Sequence, residues 1–211
     1  MPNLRCSALK PLLTVFLLVS SAGAQNPLLT TSTIYQASAP AVVLIETNET
    51  VGSGFVLEAS GYIATTSAVI RGAGQLQVRT ASGEVFDRVR VIAEDERRDL
   101  AVLKVAGFGL PVLRIGDSDT VEVRDDFIVL GVSVGTRGFQ ASVAEGTVQA
   151  IRMEPAGFRA LHVQAALSEE DRGSPVLARD GTVVAIVSSP ALGTRPATAI
   201  PINYLLGLLT W

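Results

Sequence analysis

Covalent hydrolysis by side chains needs three groups in one place. These are a nucleophile, a base within roughly 2.6–3.2 Å of it, and a carboxylate that orients the base. The chain of 211 residues contains one histidine, His162, and one cysteine, Cys6. That supply is thin. A zinc site, which draws mainly on His and Cys, lacks ligands. Glu94-Asp95-Glu96 and Asp125-Asp126 lack the spacing of a calcium loop and read as solvated loop charges. The glycine groups Gly72–Gly74 and Gly131–Gly135 match no phosphate or dinucleotide fingerprint and suit hairpin turns. No metal or other cofactor is implied. His162 sits in the strand-like run Ala160–Gln164, where the expected role is a histidine satisfied by local hydrogen bonds.

The elements that must position any site are strands. With 48% apolar and 18% charged residues, the chain can bury a core and is not disordered. A formal net charge of −3 leaves no basic footprint for nucleic acid. Short β-rich runs fall at 42–46, 53–58, 62–65, 75–80, around Val89 and Val91, at 100–105 and at 111–115. After a break near 116–124 a second series follows at 127–132, 141–151, 160–164, 174–178, 182–188 and 197–201. Turn signals every 8–12 residues point to an all-β protein of paired barrels or a sandwich. The tail 202–209 reads as a short amphipathic helix.

Residues 1–24 read as a secretory signal peptide. Arg5 and Lys10 precede a nine-residue apolar stretch, 11–19, and Ala22 and Ala24 form an A-x-A cleavage site. The stretch is too short for the roughly 20 residues of a membrane span. Cleavage removes Cys6 and predicts an exported, periplasmic or secreted chain without disulfides, stabilised by packing alone. It also shifts the net charge to −5, with 15 basic and 20 acidic residues left.

Several phrases in order resemble the protease domain of the HtrA/Deg branch of chymotrypsin-like serine proteases. They include 40–45 PAVVLI, 52–70 GSGFVLEASGYIATTSAVI, 99–104 DLAVLK, 110–119 LPVLRIGDSD, 130–135 LGVSVG, 145–150 EGTVQA, 171–187 DRGSPVLARDGTVVAIV and 199–203 AIPIN. The resemblance implies two six-stranded antiparallel β-barrels with the site in the cleft between them. Its implied layout is an N-terminal segment 25–41, barrels over 42–120 and 121–201, and a C-terminal helix over 202–211. Residue by residue it also assigns the three catalytic positions. The histidine position holds Ala68, the aspartate position holds Asp99, and the serine position holds Arg172. A methyl group cannot act as a base and a guanidinium is no nucleophile, so the resemblance implies a pseudoprotease. An oxyanion hole would need the N–H groups of Arg172 and Glu170, amid the acids Glu169 and Asp171.

Two expectations follow. Ala68 vacates the space between the other two positions, so Arg172 is expected to pair with Asp99 and tie one barrel to the other; the alternatives are solvent or Glu169, Glu170 or Asp171. The remaining hydrolytic route would use Ser174, two residues past the nucleophile position, with His162 as base; Thr66 and Ser67 read as turn residues without an activator. The expected function is noncatalytic binding of a protein or peptide partner in the cell envelope, for example by strand addition. The alternatives are an endopeptidase with a displaced nucleophile and a subunit of an envelope assembly. Relatives often carry a PDZ module, expected to be absent here. A homotrimer would use residues 28–45, where Leu28, Leu29, Ile34 and Tyr35 are apolar.

Overall fold

A computed structural model describes residues 29–135, 138–192 and 195–209. The expected signal peptide and Leu28 lie outside the described residues. The chain opens with helix α1 (Thr31–Ser38), started by the Thr30 hydroxyl, which accepts the Thr33 N–H. Strands β1 (Val42–Thr47), β2 (Val51–Glu58), β3 (Tyr62–Thr65), β4 (Leu76–Thr80), β5 (Val85–Phe86), β6 (Arg90–Asp95) and β7 (Leu100–Lys104) form one sheet, and the short helix α2 (Ser67–Ile70) follows β3. The order β5-β4-β1-β2-β3-β7-β6 leaves this sheet open. The second half, β8 (Asp126–Gly135), β9 (Gly138–Met153), β10 (Arg159–Ala165), β11 (Pro175–Ala178), β12 (Val183–Ser189) and β13 (Ala197–Pro201), closes as β10-β13-β12-β11-β8-β9. Helix α3 (Ile202–Leu208) ends the described chain.

The all-β expectation and the closed second barrel match this architecture, as does the short C-terminal helix. The first barrel is a correction: it is a seven-stranded open sheet. Its two-residue β5 gives the ladder too little backbone to complete a ring. The stretch 111–115, expected as a strand, forms no ladder: the Leu113 N–H donates to the Val56 carbonyl of β2, and Ile115 makes a single bridge to Val183 of β12.

Strand β1 is buried on both faces because each face serves a different core. Val43 and Ile45 point into the first sheet with Val56, Ile63, Val78 and Leu103. Val42 and Leu44 point the other way, into a cluster shared with Ile128, Leu130, Ile186 and Ile200 of the barrel. Strand β8 repeats the logic, since Phe127 and Val129 fill the barrel interior with Val148, Leu161 and Val176. Period-2 alternation between two cores thus explains continuous apolar runs in antiparallel strands. Ile34 of α1 is buried in the shared cluster, with Leu29 and Tyr35 packed against it.

Candidate functional site

Loops from both halves converge at one edge of the shared core. Helix α2 brings Ala68, the β6–β7 turn brings Asp99, a single 3-10 turn over Glu169–Asp171 brings Arg172, and the end of β12 brings Ser188. Asp99 is the pivot. Its Oδ1 accepts the backbone N–H of Ala68 at 2.7 Å, and its Oδ2 accepts the Ser188 hydroxyl at 2.6 Å. Its φ of 56° lies in the left-handed region, one that Asp tolerates better than most residues. Burial pushes the Asp99 carboxyl above its ordinary 3.8. The Ser188 hydroxyl, the Ala68 N–H and the charges of Arg172 and Arg71 pull against that rise.

Arg172 does not take Asp99 as its direct partner, which corrects the expected inter-barrel ion pair. Its Nε donates to Glu169 Oε2 at 2.7 Å, and its NH1 donates to the Ser188 carbonyl at 2.7 Å. The reason is local. Both Asp99 oxygens already hold a donor, while the Glu169 carboxylate stands three residues back on the same turn. Arg172 still acts on Asp99 at Coulombic range. The link between halves therefore runs in two steps, from Arg172 to the Ser188 carbonyl and from the Ser188 hydroxyl to Asp99.

The backbone of this turn is engaged too. The Arg172 N–H points at the Glu169 carbonyl, 3.2 Å away, so a required oxyanion donor is held in the turn. Asp171 is buried, and its Oδ2 accepts the Ser168 N–H and hydroxyl, forming a capping box. Gly173 has φ 84°, and a Cβ there would lie 2.0 Å from the Ser53 carbonyl oxygen. Only glycine fits that approach.

Ser53 is a joint that the sequence did not single out. Its N–H donates to the Arg172 carbonyl at 2.7 Å, its hydroxyl donates to the Glu170 carbonyl at 2.8 Å and accepts from the Val132 N–H at 3.2 Å, and its carbonyl accepts the Thr65 hydroxyl. One buried serine thereby holds β2 against the 3-10 turn and β8. Ser188 was visible only as part of a strand. The paired signal, a serine in each half facing the 169–172 turn, exists only in three dimensions.

Ser174 and His162 are not brought together. His162 Nε2 lies 2.9 Å from Glu154 Oε1 on the β9–β10 hairpin, the locally satisfied role expected of it. Strands β13 and β12 separate its strand from β11, which follows Ser174. Ser174 is fully buried, and its hydroxyl has no partner. Ser67, read from sequence as a turn residue without an activator, donates to Glu94 Oε1 at 2.5 Å from within α2. Glu94 is thus a structural acceptor rather than a free loop charge. Among the described residues no group of three or more His, Cys, Asp or Glu is placed to hold a metal ion.

Comparison with known proteins identifies the fold and the family. Residues 52–186 match the trypsin-like peptidase domain family. A probable periplasmic serine endoprotease, DegP-like, from Ectopseudomonas mendocina (strain ymp) is 34% identical over 143 residues, covering 66% of this chain and 29% of that protein. A protein of the same description from Chlamydia muridarum (strain MoPn / Nigg) is 30% identical over 152 residues, covering 68% of this chain and 29% of the relative. The chain thus spans under a third of the length of these relatives. Among solved structures, the HtrA-type protease AlgW with tripeptide superposes with a TM-score of 0.75 at 24% identity, covering 84% of this chain and 62% of that one. The crystal structure of Deg5 gives 0.71 at 26% identity, covering 83% and 90%.

Proposed function

The chain belongs to the trypsin-like peptidase family, on its HtrA/DegP branch, and we propose that within it this protein is an exported pseudoprotease that binds polypeptide in the periplasm without cleaving it. One observation carries the reading. At the three positions where the family's chemistry would act stand a methyl group, a carboxylate whose oxygens are held by Ala68 and Ser188, and a guanidinium fixed by Glu169. Neither base nor nucleophile is there, and the Arg172 N–H is turned to Glu169 instead of toward a ligand. The periplasmic assignment rests on the signal-like segment 1–24 and on relatives named as periplasmic endoproteases. Among the described residues no helix is long and apolar enough to cross a membrane.

A second reading has one observation in its favour, the unpartnered hydroxyl of Ser174, which would make the protein an endopeptidase with a displaced nucleophile. Full burial and the distance in strand order from His162 weigh against it. Both readings are separated by incubating the chain from Gln25 with fluorescently labelled, unfolded casein. The pseudoprotease reading expects a rise in anisotropy and no fragments on a gel. Fragments that vanish in Ser174→Ala would replace it with the second reading.

A further inference from the structure

The first sheet is split where its ladder should close. Strands β4 and β5 pair only at Val78↔Phe86 and Arg79↔Val85; the chain then leaves β4, and β6 pairs with β7 alone. The other edge of β6 holds no strand, and among the described residues no backbone bond outside a ladder reaches 90–95. Between β4 and this edge opens a cavity of about 970 Å³, at the upper end of the range for ligand sites. Its walls include Ile70, Leu76 and Gln77 on one side and Asp87, Val89 and Val91 on the other. It shares no residue with the set Ala68, Asp99 and Arg172.

Two features of these walls define what would fill the gap. Val91 stands opposite Leu103, and directly opposed residues of an antiparallel pair share a face. Leu103 is fully buried in the first core, yet Val91 is 48% exposed. Apolar surface continuous with the core is thus uncovered at this edge. The charges are equally specific. Glu46 in the wall is bridged to Arg79 at 3.3 Å, whereas Asp87 makes no hydrogen bond or ion pair among the described residues. Arg88 and Arg90 alternate with Asp87, Val89 and Val91 and do not line the cavity. We infer that this edge takes an extended segment of another polypeptide, antiparallel to β6, with apolar residues at i and i+2 over Val91 and Val89 and a Lys or Arg at i+4 against Asp87. Strand addition draws affinity from the main chain and specificity from alternate side chains, the spacing that these three wall residues set. The bulge at Ile92 keeps the pairing short. This inference rests on the polypeptide-binding reading and gives it a surface and a sequence pattern.

The test uses the chain from Gln25 and a labelled peptide with blocked termini, Thr-Val-Thr-Val-Thr-Lys-Thr, followed by anisotropy at low salt. The same peptide with Glu in place of Lys is expected to bind about three- to tenfold more weakly, the scale of exchanging an exposed ion pair for like charges. Asp87→Asn should remove that difference. A fully N-methylated copy, which cannot donate to a strand edge, should not bind. Val91→Lys should weaken binding by about tenfold or more, with circular dichroism unchanged. Equal affinity for the Lys and Glu peptides, binding by the N-methylated copy, or a Val91→Lys variant that binds as the parent does overturns the inference. So does failure of the Lys peptide while labelled casein still binds. Loss of casein binding as well overturns the inference and the polypeptide-binding reading together.

Discussion

Asp99 is a largely buried carboxylate, and its surroundings explain what it does for the fold. It caps Ala68 and anchors Ser188. Its carboxyl is raised above 3.8 chiefly by burial. A raised acid stabilises the fold fully below its unfolded value, and that contribution is lost as pH rises through the folded value. Asp99→Asn mimics the protonated form and tolerates the positive φ. The variant should therefore match the parent at pH values below 3.8 and exceed its stability at pH 7, as read by urea midpoints across that window. Identical pH profiles for the two proteins would contradict this assignment. Ser53→Ala should cost about 2–4 kcal/mol, because it leaves the Glu170 carbonyl and the Val132 N–H unpaired in a buried joint. Gly173→Ala should cost about 2–5 kcal/mol from positive φ and the clash with Ser53. Both are measured by denaturant midpoints.

At the scale of elements, most strands were legible because alternation between two cores leaves a strong pattern, as in 42–46 and 127–132. The exceptions have physical causes. Helix α1 has the sequence TSTIYQAS, whose threonines and isoleucine disfavour helix, and it is held by Thr30 and by burial of Ile34. Segment 111–115 has strand residues, but Pro111 and the single bridge at Ile115 leave it outside any ladder. The positions of Ala68, Asp99 and Arg172 were legible through the resemblance; the direction of the Arg172 side chain was not. It depends on a 3-10 turn that places Glu169 nearer than Asp99. That turn also makes a prediction. Placing a histidine and a serine at the positions the resemblance assigns to them, in Ala68→His with Arg172→Ser, should leave casein cleavage at background, since the residue 172 N–H remains held by the Glu169 carbonyl. Robust cleavage by the double variant would show that the turn opens readily.

For the whole molecule, the two halves are joined by the shared core, by contacts such as Ser188 to Asp99 and Arg97 to the Ala156 carbonyl, and by two further polar joints. One is the Ser53 junction. The other is Tyr204 of α3, which lies edge-on to Phe158 at 6.2 Å, accepts the Arg159 N–H at 3.0 Å and carries Arg98 of the first half 4.8 Å above its ring. Tyr204→Ala should destabilise by about 3–5 kcal/mol, read from thermal and urea unfolding. The most direct measurement is intact mass after treatment of the chain from Gln25 with a fluorophosphonate, which phosphonylates an activated serine. No mass shift is predicted, Ser174 being fully buried and residue 172 carrying a guanidinium in place of a hydroxyl. A stoichiometric shift, lost in Ser174→Ala, would contradict the pseudoprotease reading.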